Sequence, residues 1–419
     1  MIPSVQSFEF PWSLLLAVSF LLAAGLLHRL AGGTKAVMAL RSALTSRILL
    51  GIGAVLLAVE GTFSVSIHCS AFFAAYVLLL LLSLALVILD TAVKHGCLGG
   101  ILSHLGFFII LWAAFFGAPD VRRCRMMIRQ SETVSIAYTD KSVLVPLPFS
   151  IRLDRFDTDY YDTAPQSPKQ FRSVLSVDGE RMVTAVNSPC DIDGYTVFQD
   201  GYDSLGGDYS ILLLVRDPWL PVVFFGMAVL AAGAVLLLFG KWNLKVTLPL
   251  TAVLTVSFTL LSVYRINFLT LMPALRSWWF LPHLCLYMIA YSLMAVAVAI
   301  GLAGTFRLRL PDSLAHGIEN GLVRSSSALL ILGMLTGSVW ARQAWGDYWT
   351  WDPKENWAAV TWFVSLIHIH IPRHHHRWRL AILLLAFLAL QVTWYGVNYL
   401  PSASDSLHTY GTSYQIPSN

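Results

Sequence analysis

Charged residues are scarce in this sequence. Of its 419 residues only 12% are Asp, Glu, Lys or Arg, whereas 56% are hydrophobic. A soluble globular protein carries about 25% charged residues, so this share cannot cover the surface of a water-soluble protein of this size. The scarcity excludes a soluble enzyme, a disordered scaffold and a disulfide-rich secreted domain. The formal net charge of +4 is small, which argues against a nucleic-acid partner.

Cysteine is also rare. The five cysteines are scattered, and no CxxC motif occurs. This excludes a zinc ribbon, a thioredoxin-like pair and a c-type haem attachment site within the chain.

Long apolar runs are abundant instead. A membrane-spanning helix needs about 20 mostly apolar residues, and ten stretches meet that length approximately. They are residues 12–30, 47–66, 70–89, 99–117, 218–240, 245–264, 281–304, 323–341, 356–371 and 378–398. The sequence therefore predicts a polytopic α-helical membrane protein with about ten transmembrane helices, the first of which we expect to remain as an anchor.

Residues 118–217 differ from the rest, because they hold 15 of the 24 acidic residues. Five runs alternate or are β-branched, which predicts a small β-rich domain: ETVSIAY, SVLVPLPFSIRL, RMVTAV, GYTVFQD and SILLLV. Basic residues concentrate in the loops on the opposite side, so the positive-inside rule places the β-rich domain outside the cytoplasm. In an oxidising compartment Cys124 and Cys190 could pair or stay free, and the sequence leaves both open.

Four histidines form two pairs once this topology is drawn. His104 and His370 lie near the cytoplasmic ends of their spans, whereas His283 and His408 lie at the outer face. Ionisable groups in membrane spans indicate functional sites, and imidazole is the usual axial ligand of haem iron. His368 competes with His370, and spacing alone does not choose between them.

The outer loop after the eighth span is unusually aromatic. Five tryptophans and a tyrosine occur within residues 340–357. An aromatic belt at the membrane interface is one interpretation, but it does not explain this density. A platform for a flat apolar ligand explains it better.

The same loop also carries the signals of a helix start. Asp352 can be the N-cap, Pro353 the first helical residue, and Glu355 the third residue of a capping box. Asp352 and Glu355 can therefore be structural caps or ligand contacts, and both interpretations stay open.

The run WGDYWTWDPKENWAAVTW resembles the tryptophan-rich WWD signature of the CcsA/ResC family of haem-handling proteins. The phrase WWFLPHL and the tail GVNYLPSASDSLHTYG resemble the segments that carry that family's two external histidines. The first half resembles the partner family ResB, also called CcsB, through SHLGFF, LPFSIRLDRFDTDYY, VNSPCDIDGYTVFQDGYD and VRDPWL. Together these resemblances are typical of the fused CcsBA proteins of System II.

The resemblance implies a role for each candidate residue. His104 and His370 would be the transmembrane haem ligands, and His283 and His408 the outer axial pair. The haem platform, where catalysis would occur, would comprise Trp345, Gly346, Trp349, Trp351 and Asp352. The implied function is transport of haem b across the membrane and its thioether attachment to the CxxCH cysteines of apocytochrome c, a haem lyase activity.

The same resemblance predicts the domains and surroundings. We expect an N-terminal anchor and cytoplasmic loop at 1–44, ResB-like helices at 45–117, the β-rich domain at 118–217, the last ResB-like helix at 218–240 and a CcsA-like domain at 241–419. The expected location is the bacterial inner membrane, with the β-rich domain, the WWD loop and the C-terminus in the periplasm. Apocytochrome c, a thiol-reducing partner and membrane lipid are the expected partners.

Three other functions are compatible with parts of the sequence. A haem exporter or chaperone without ligase activity would share the WWD loop, but it would not need the ResB-like half. A secondary transporter predicts inverted repeats, which we do not find. A structural anchor for an electron-transfer complex predicts that bound haem is independent of His283 and His408.

Overall fold

The computed structural model describes residues 10–63, 65–94, 96–203, 208–238, 244–265, 270–305, 312–406 and 408. The described residues form eleven α-helices: α1 Trp12–Ala31, α2 Lys35–Leu40, α3 Ala43–Phe63, α4 Ala71–Val93, α5 Leu98–Gly117, α6 Leu220–Leu238, α7 Leu244–Arg265, α8 Phe280–Thr305, α9 Asp312–Trp345, α10 Pro353–His370 and α11 His376–Trp394. The expected boundary at 240/241 and most of the C-terminal tail lie outside the described residues.

The protein is a polytopic α-helical membrane protein. Eight of the described helices are long and apolar enough to cross a membrane: α1, α3, α4, α5, α6, α8, α9 and α11. α7 and α10 occupy the other two predicted stretches. α10 can be more polar than the rest because it packs against α3, α9 and α11, so much of its surface meets protein instead of lipid.

α9 is longer than the apolar run at 323–341 predicts. It extends over 34 residues, from Asp312 to Trp345, which is about 51 Å at the α-helical rise. The hydrocarbon core of a bilayer is only about 30 Å thick, so α9 projects beyond it. The last turn of α9 carries Arg342 and Trp345 towards the β-rich domain.

The β-rich domain is one eight-stranded antiparallel sheet. Its strands are β1 Arg122–Arg129, β2 Thr133–Tyr138, β3 Leu144–Tyr161, β4 Ala164–Val177, β5 Glu180–Ala185, β6 Cys190–Ile192, β7 Tyr195–Tyr202 and β8 Tyr209–Arg216. The strand order is β5-β4-β3-β2-β1-β8-β7-β6. The sheet curls towards closure, since Thr184 of β5 donates a hydrogen bond to the Val197 carbonyl of β7 at 2.9 Å.

The interior of this curled sheet is apolar. Side chains such as Ile128, Leu153 and Leu214 are fully buried there, as the alternating pattern predicts. Cys124 and Cys190 border the same interior and are both free thiols. Burial raises the pKa of the Cys190 thiol to about 11, so it is protonated at neutral pH.

Candidate functional site at the WWD loop

The WWD loop is the segment between Trp345, the last residue of α9, and Pro353, the first of α10. Its C-terminal end is the predicted capping box. The amide of Lys354 donates to Asp352 Oδ1 at 2.7 Å, and the amide of Asp352 donates to Glu355 Oε2 at 3.2 Å. Thr350 donates its amide to the same Glu355 oxygen at 2.7 Å. The cap therefore fixes the last part of the loop on the start of α10.

His283 and His408 line one cavity beneath this loop. They belong to α8 and to the tail after α11, and the ring of Trp340 lies near both, with centroid distances of 5.9 and 6.2 Å. Trp345 meets the His408 ring edge-to-face at 5.4 Å. The structure thus brings together the two histidines that the sequence pairs at the outer face.

Polar contacts of Nδ1 orient both imidazoles. Nδ1 of His283 lies 2.8 Å from the Gly333 carbonyl oxygen, which only accepts, so this nitrogen carries the proton and Nε2 keeps its lone pair. Nδ1 of His408 lies 3.2 Å from Asp352 Oδ1. Burial alone would raise the pKa of Asp352, but the His408 interaction and the hydrogen bonds from Lys354 and Ser406 outweigh it, so the pKa lies below its usual value. Asp352 is therefore both a helix cap and the partner of His408.

His283 fits against α9 only because residue 337 is glycine. A Cβ atom at Gly337 would lie 2.7 Å from Cε1 and Nδ1 of the His283 ring, a distance that requires the ring to move. We expect Gly337→Ala to displace His283 and to weaken by about tenfold the haem binding that the resemblance implies for the outer cavity, in the range of orienting contacts at metal sites. Haem titration of purified protein measures this. Gly317→Ala is the matched control, because a Cβ at this other α9 glycine meets no atom within 4 Å; equal affinities in the two variants would contradict the prediction.

His104 and His370 lie at the opposite ends of their helices from the sheet. Nδ1 of His104 is 2.7 Å from the Gly100 carbonyl oxygen, and Nδ1 of His370 is 2.7 Å from that of Leu366. Each bond reaches back four residues, so each ring leans towards the N-terminus of its helix and keeps Nε2 available.

The depths of these two histidines can be compared because α5 and α10 touch. The ring of Phe107 meets those of Trp362 and Phe363 at 5.3 and 6.1 Å. An α-helix rises about 1.5 Å per residue. Counted from the level of these rings, His104 therefore lies about 4.5 Å further from the sheet, and His370 about 11 Å further. The helices are antiparallel, so the leaning rings approach each other in depth.

His368 occupies a different environment from His370. It is completely buried. Its Nδ1 is 3.0 Å from the Arg379 carbonyl oxygen, and its Nε2 is 2.7 Å from Arg379 Nη2 and 3.2 Å from Glu319 Oε1. Both ring nitrogens are therefore engaged in a buried polar network that joins α9, α10 and α11.

The five predicted platform residues separate into two groups. Trp349 lines the cavity of His283 and His408, and Trp345 and Asp352 contact His408. Gly346 and Trp351 are not among the described residues that line that cavity. Gly346 packs against the sheet with φ +81°, where a Cβ would lie 3.1 Å from Leu213. The Trp351 ring contacts His68 and Phe73 of the first half of the chain.

Two arginines that the sequence interpretation missed attach the WWD loop to its surroundings. Arg123 of β1 forms an ion pair with Asp347 of the loop. Arg342 donates to the Gly346 carbonyl oxygen and lies over the Phe198 ring of β7 at 5.1 Å. The only sequence signal was the pair of charges at Arg342 and Asp347 among tryptophans, because the partners in the sheet are far away along the chain.

A second, larger cavity of about 1030 Å³ borders the loop, since residues 347–351 line it. Its mostly apolar wall extends from Phe107, one helical turn from His104, to Trp349 and Trp351 at the sheet side. Trp349, Met334 and Ser338 line both cavities. The large cavity therefore adjoins the outer histidine pair and approaches the level of the other pair.

Comparisons with known proteins divide the chain at the end of the sheet. The ResB-like family matches residues 94–215, and the cytochrome C assembly protein family matches residues 219–403. The cytochrome c biogenesis protein CcsA of Guillardia theta is 27% identical over 51% of this chain and 86% of its own length. That of Porphyra purpurea is 29% identical over 34% of this chain and 60% of its own, and that of Gloeobacter violaceus is 38% identical over 27% and 34%. The chain thus spans about 60% or less of most of these relatives.

Proposed function

We propose that this chain carries haem b across the membrane and attaches it to apocytochrome c. It is a cytochrome c biogenesis protein in which a ResB-like region is followed by a CcsA-type assembly region, as in the fused CcsBA proteins of System II. Haem is the substrate in this proposal. The observation that carries it is the common geometry of the four histidines. Each has Nδ1 beside an oxygen atom, which would leave Nε2 to bind the haem iron.

His104 and His370 would bind haem at the level far from the sheet, and His283 and His408 would bind it in the outer cavity. The large cavity between these levels supports transfer from one pair to the other, because its apolar wall suits a porphyrin and it adjoins the outer cavity at Trp349. Trp345 and Trp349 would contact the haem face or edge.

Covalent attachment needs little chemistry from the protein itself. Each CxxCH thiol adds across a haem vinyl group, so that one S–C and one C–H bond form, the S–H bond and the C=C π bond break, and no external oxidant is consumed. The protein would hold thiol and vinyl in near-attack geometry. The reacting thiols must be reduced, so the proposal includes a thiol-reducing partner. It also places the protein in a bacterial inner membrane, with the sheet, the WWD loop and the C-terminus on the periplasmic side.

Production of covalent cytochrome c in a host without other maturation genes tests the ligase activity. We expect the chain, co-expressed with an apocytochrome that carries CxxCH, to yield holocytochrome whose haem survives denaturing electrophoresis. A CxxCH-to-SxxSH client is the control. Haem that reaches the outer side without covalent product would instead indicate an exporter or chaperone.

A further inference from the structure

Trp351 is held in an uncommon conformation. Its φ is +60°, in the left-handed region that bulky residues rarely adopt because it strains the backbone. Its indole stacks flat on the His68 ring, with a centroid distance of 4.4 Å and an interplanar angle of 5°. Phe73 of α4 meets the same indole edge-to-face at 5.6 Å. These contacts come from the first half of the chain and stabilise a residue in the second half.

His68 is in turn held by a carboxylate inside the protein. It belongs to the 3₁₀ turn Ile67–Cys69 between α3 and α4. Its Nδ1 pairs with Glu60 Oε1, and its backbone amide donates to Glu60 Oε2 at 3.2 Å. Glu60 is only 5% exposed although it lies in the apolar helix α3. A buried carboxylate in a membrane helix is costly and is retained where it has a specific partner.

We infer that Glu60 and His68 form a clamp that positions the WWD loop by holding Trp351. The next residue after Trp351 is Asp352, which contacts His408, so the clamp reaches the outer histidine pair through one peptide bond and one side chain. Glu60 and His68 lie outside both family matches, at 94–215 and 219–403. Glu60 and His68 are positioning residues, and their effect on haem chemistry rests on the proposed function.

The clamp complements the link from Arg123 to Asp347. That ion pair holds the loop from the sheet, whereas His68 holds it from the membrane helices. The loop is thus fixed at Asp347 and at Trp351, and Trp349 between them faces the outer cavity. This arrangement gives the first half of the chain a physical role in the site formed mainly by the second half.

Hydrogen–deuterium exchange of the haem-free full-length protein tests the clamp independently of haem. We expect His68→Ala and Glu60→Ala each to speed exchange of the amides of residues 347–352 by about tenfold or more, the scale of a lost charged hydrogen bond. The double variant should equal either single variant, because both residues act through one contact. His28→Ala, which removes an imidazole near the other membrane face, should leave these amides unchanged. Unchanged exchange in His68→Ala, or additive effects in the double variant, would overturn the inference.

Two milder variants keep the test valid if alanine at Glu60 prevents folding. Glu60→Gln retains a hydrogen-bond acceptor, and His68→Phe retains a ring that can stack on Trp351. We expect Glu60→Gln to return exchange to within about threefold of the parent protein, because His68 can still donate to the amide oxygen through a weaker, neutral hydrogen bond. His68→Phe can stack but cannot bond Glu60, so its exchange should remain close to that of His68→Ala. Exchange in Glu60→Gln as fast as in His68→Ala would contradict the clamp.

The haem spectrum then connects the clamp to the proposed function. At equal protein yield, His68→Ala should alter the outer-site haem spectrum and lower holocytochrome formation by about tenfold, the size of an orienting contact at a metal site, and Glu60→Gln should keep both close to those of the parent protein. If the parent protein binds no haem through His283 and His408, the proposed function fails, while the exchange result still decides whether the clamp exists. If the parent protein binds haem and His68→Ala matches it in spectrum and product, only the clamp's role in the site fails.

Discussion

The double variant His283→Ala/His408→Ala is expected to lose the six-coordinate low-spin haem b spectrum of the outer site and to form at least about a hundredfold less covalent cytochrome c. Residues that only orient a metal ligand are worth about 10–100-fold in metal affinity, so removing both ligands should cost at least the upper end of that range. The reason is geometric: both rings line one cavity, and hydrogen bonds direct the proton of His283 to Nδ1. Absorption spectra of the purified protein, oxidised and reduced, measure the loss. Added imidazole should restore the low-spin spectrum, because the cavity keeps its aromatic wall.

The matched control is the pair His374 and His375. These rings also lie close together, at a centroid distance of 4.1 Å, but they are exposed on the loop before α11. Removing both takes two imidazoles from the protein without touching the outer cavity. A spectrum that survives in the His283/His408 variant would exclude these residues as ligands and favour the anchor interpretation.

The membrane helices could be predicted from the sequence because lipid imposes a simple requirement. A span must be apolar over its length, and the described helices lie close to the ten predicted stretches. The two ends of α9 could not be predicted in this way, because hydropathy marks only the part of a helix that lies in lipid. Its polar first turns and the residues around Arg342 project beyond the lipid, where hydropathy no longer marks a helix.

The sheet was predictable only in part. β2, β3, β5, β7 and β8 contain the alternating or β-branched runs that indicated a β-rich domain. β1 reads RRCRMMIR, and its charges conceal a strand whose outward arginines pair with distant acids, such as Arg125 with Asp140 and Asp200. These partners are up to 75 residues away, so no local pattern indicates them.

The site shows the same division between local and distant information. The helix cap at Asp352 was predicted from four consecutive residues, and the structure confirms it. The contact of Asp352 with His408 and that of Trp351 with His68 depend on how separate segments pack, which spacing does not give. Glu60 did carry a signal, because it is an acidic residue within an apolar span, and that signal was overlooked.

The choice between His370 and His368 leads to the second large expected effect. We expect His370→Ala to abolish haem loading at the level far from the sheet while the protein accumulates normally. We expect His368→Ala to retain haem per folded molecule but to lower stability, because Arg379 and Glu319 are buried and lose a shared partner. Breaking a buried charged network costs about 3–5 kcal/mol, which is enough to reduce the yield of purified protein.

Haem content per protein and thermal unfolding in detergent separate these outcomes. His370 ends α10 with Nδ1 bonded within its own helix, so its removal breaks a hydrogen bond inside α10. His368 connects α10 to Arg379 of α11 and Glu319 of α9, so its removal affects the packing of three helices. Equal loss of haem in both variants at equal stability would contradict the choice of His370 over His368 as the ligand. Loss of haem in His368→Ala with retention in His370→Ala would reverse the assignment of ligand and structural residue at this end of α10.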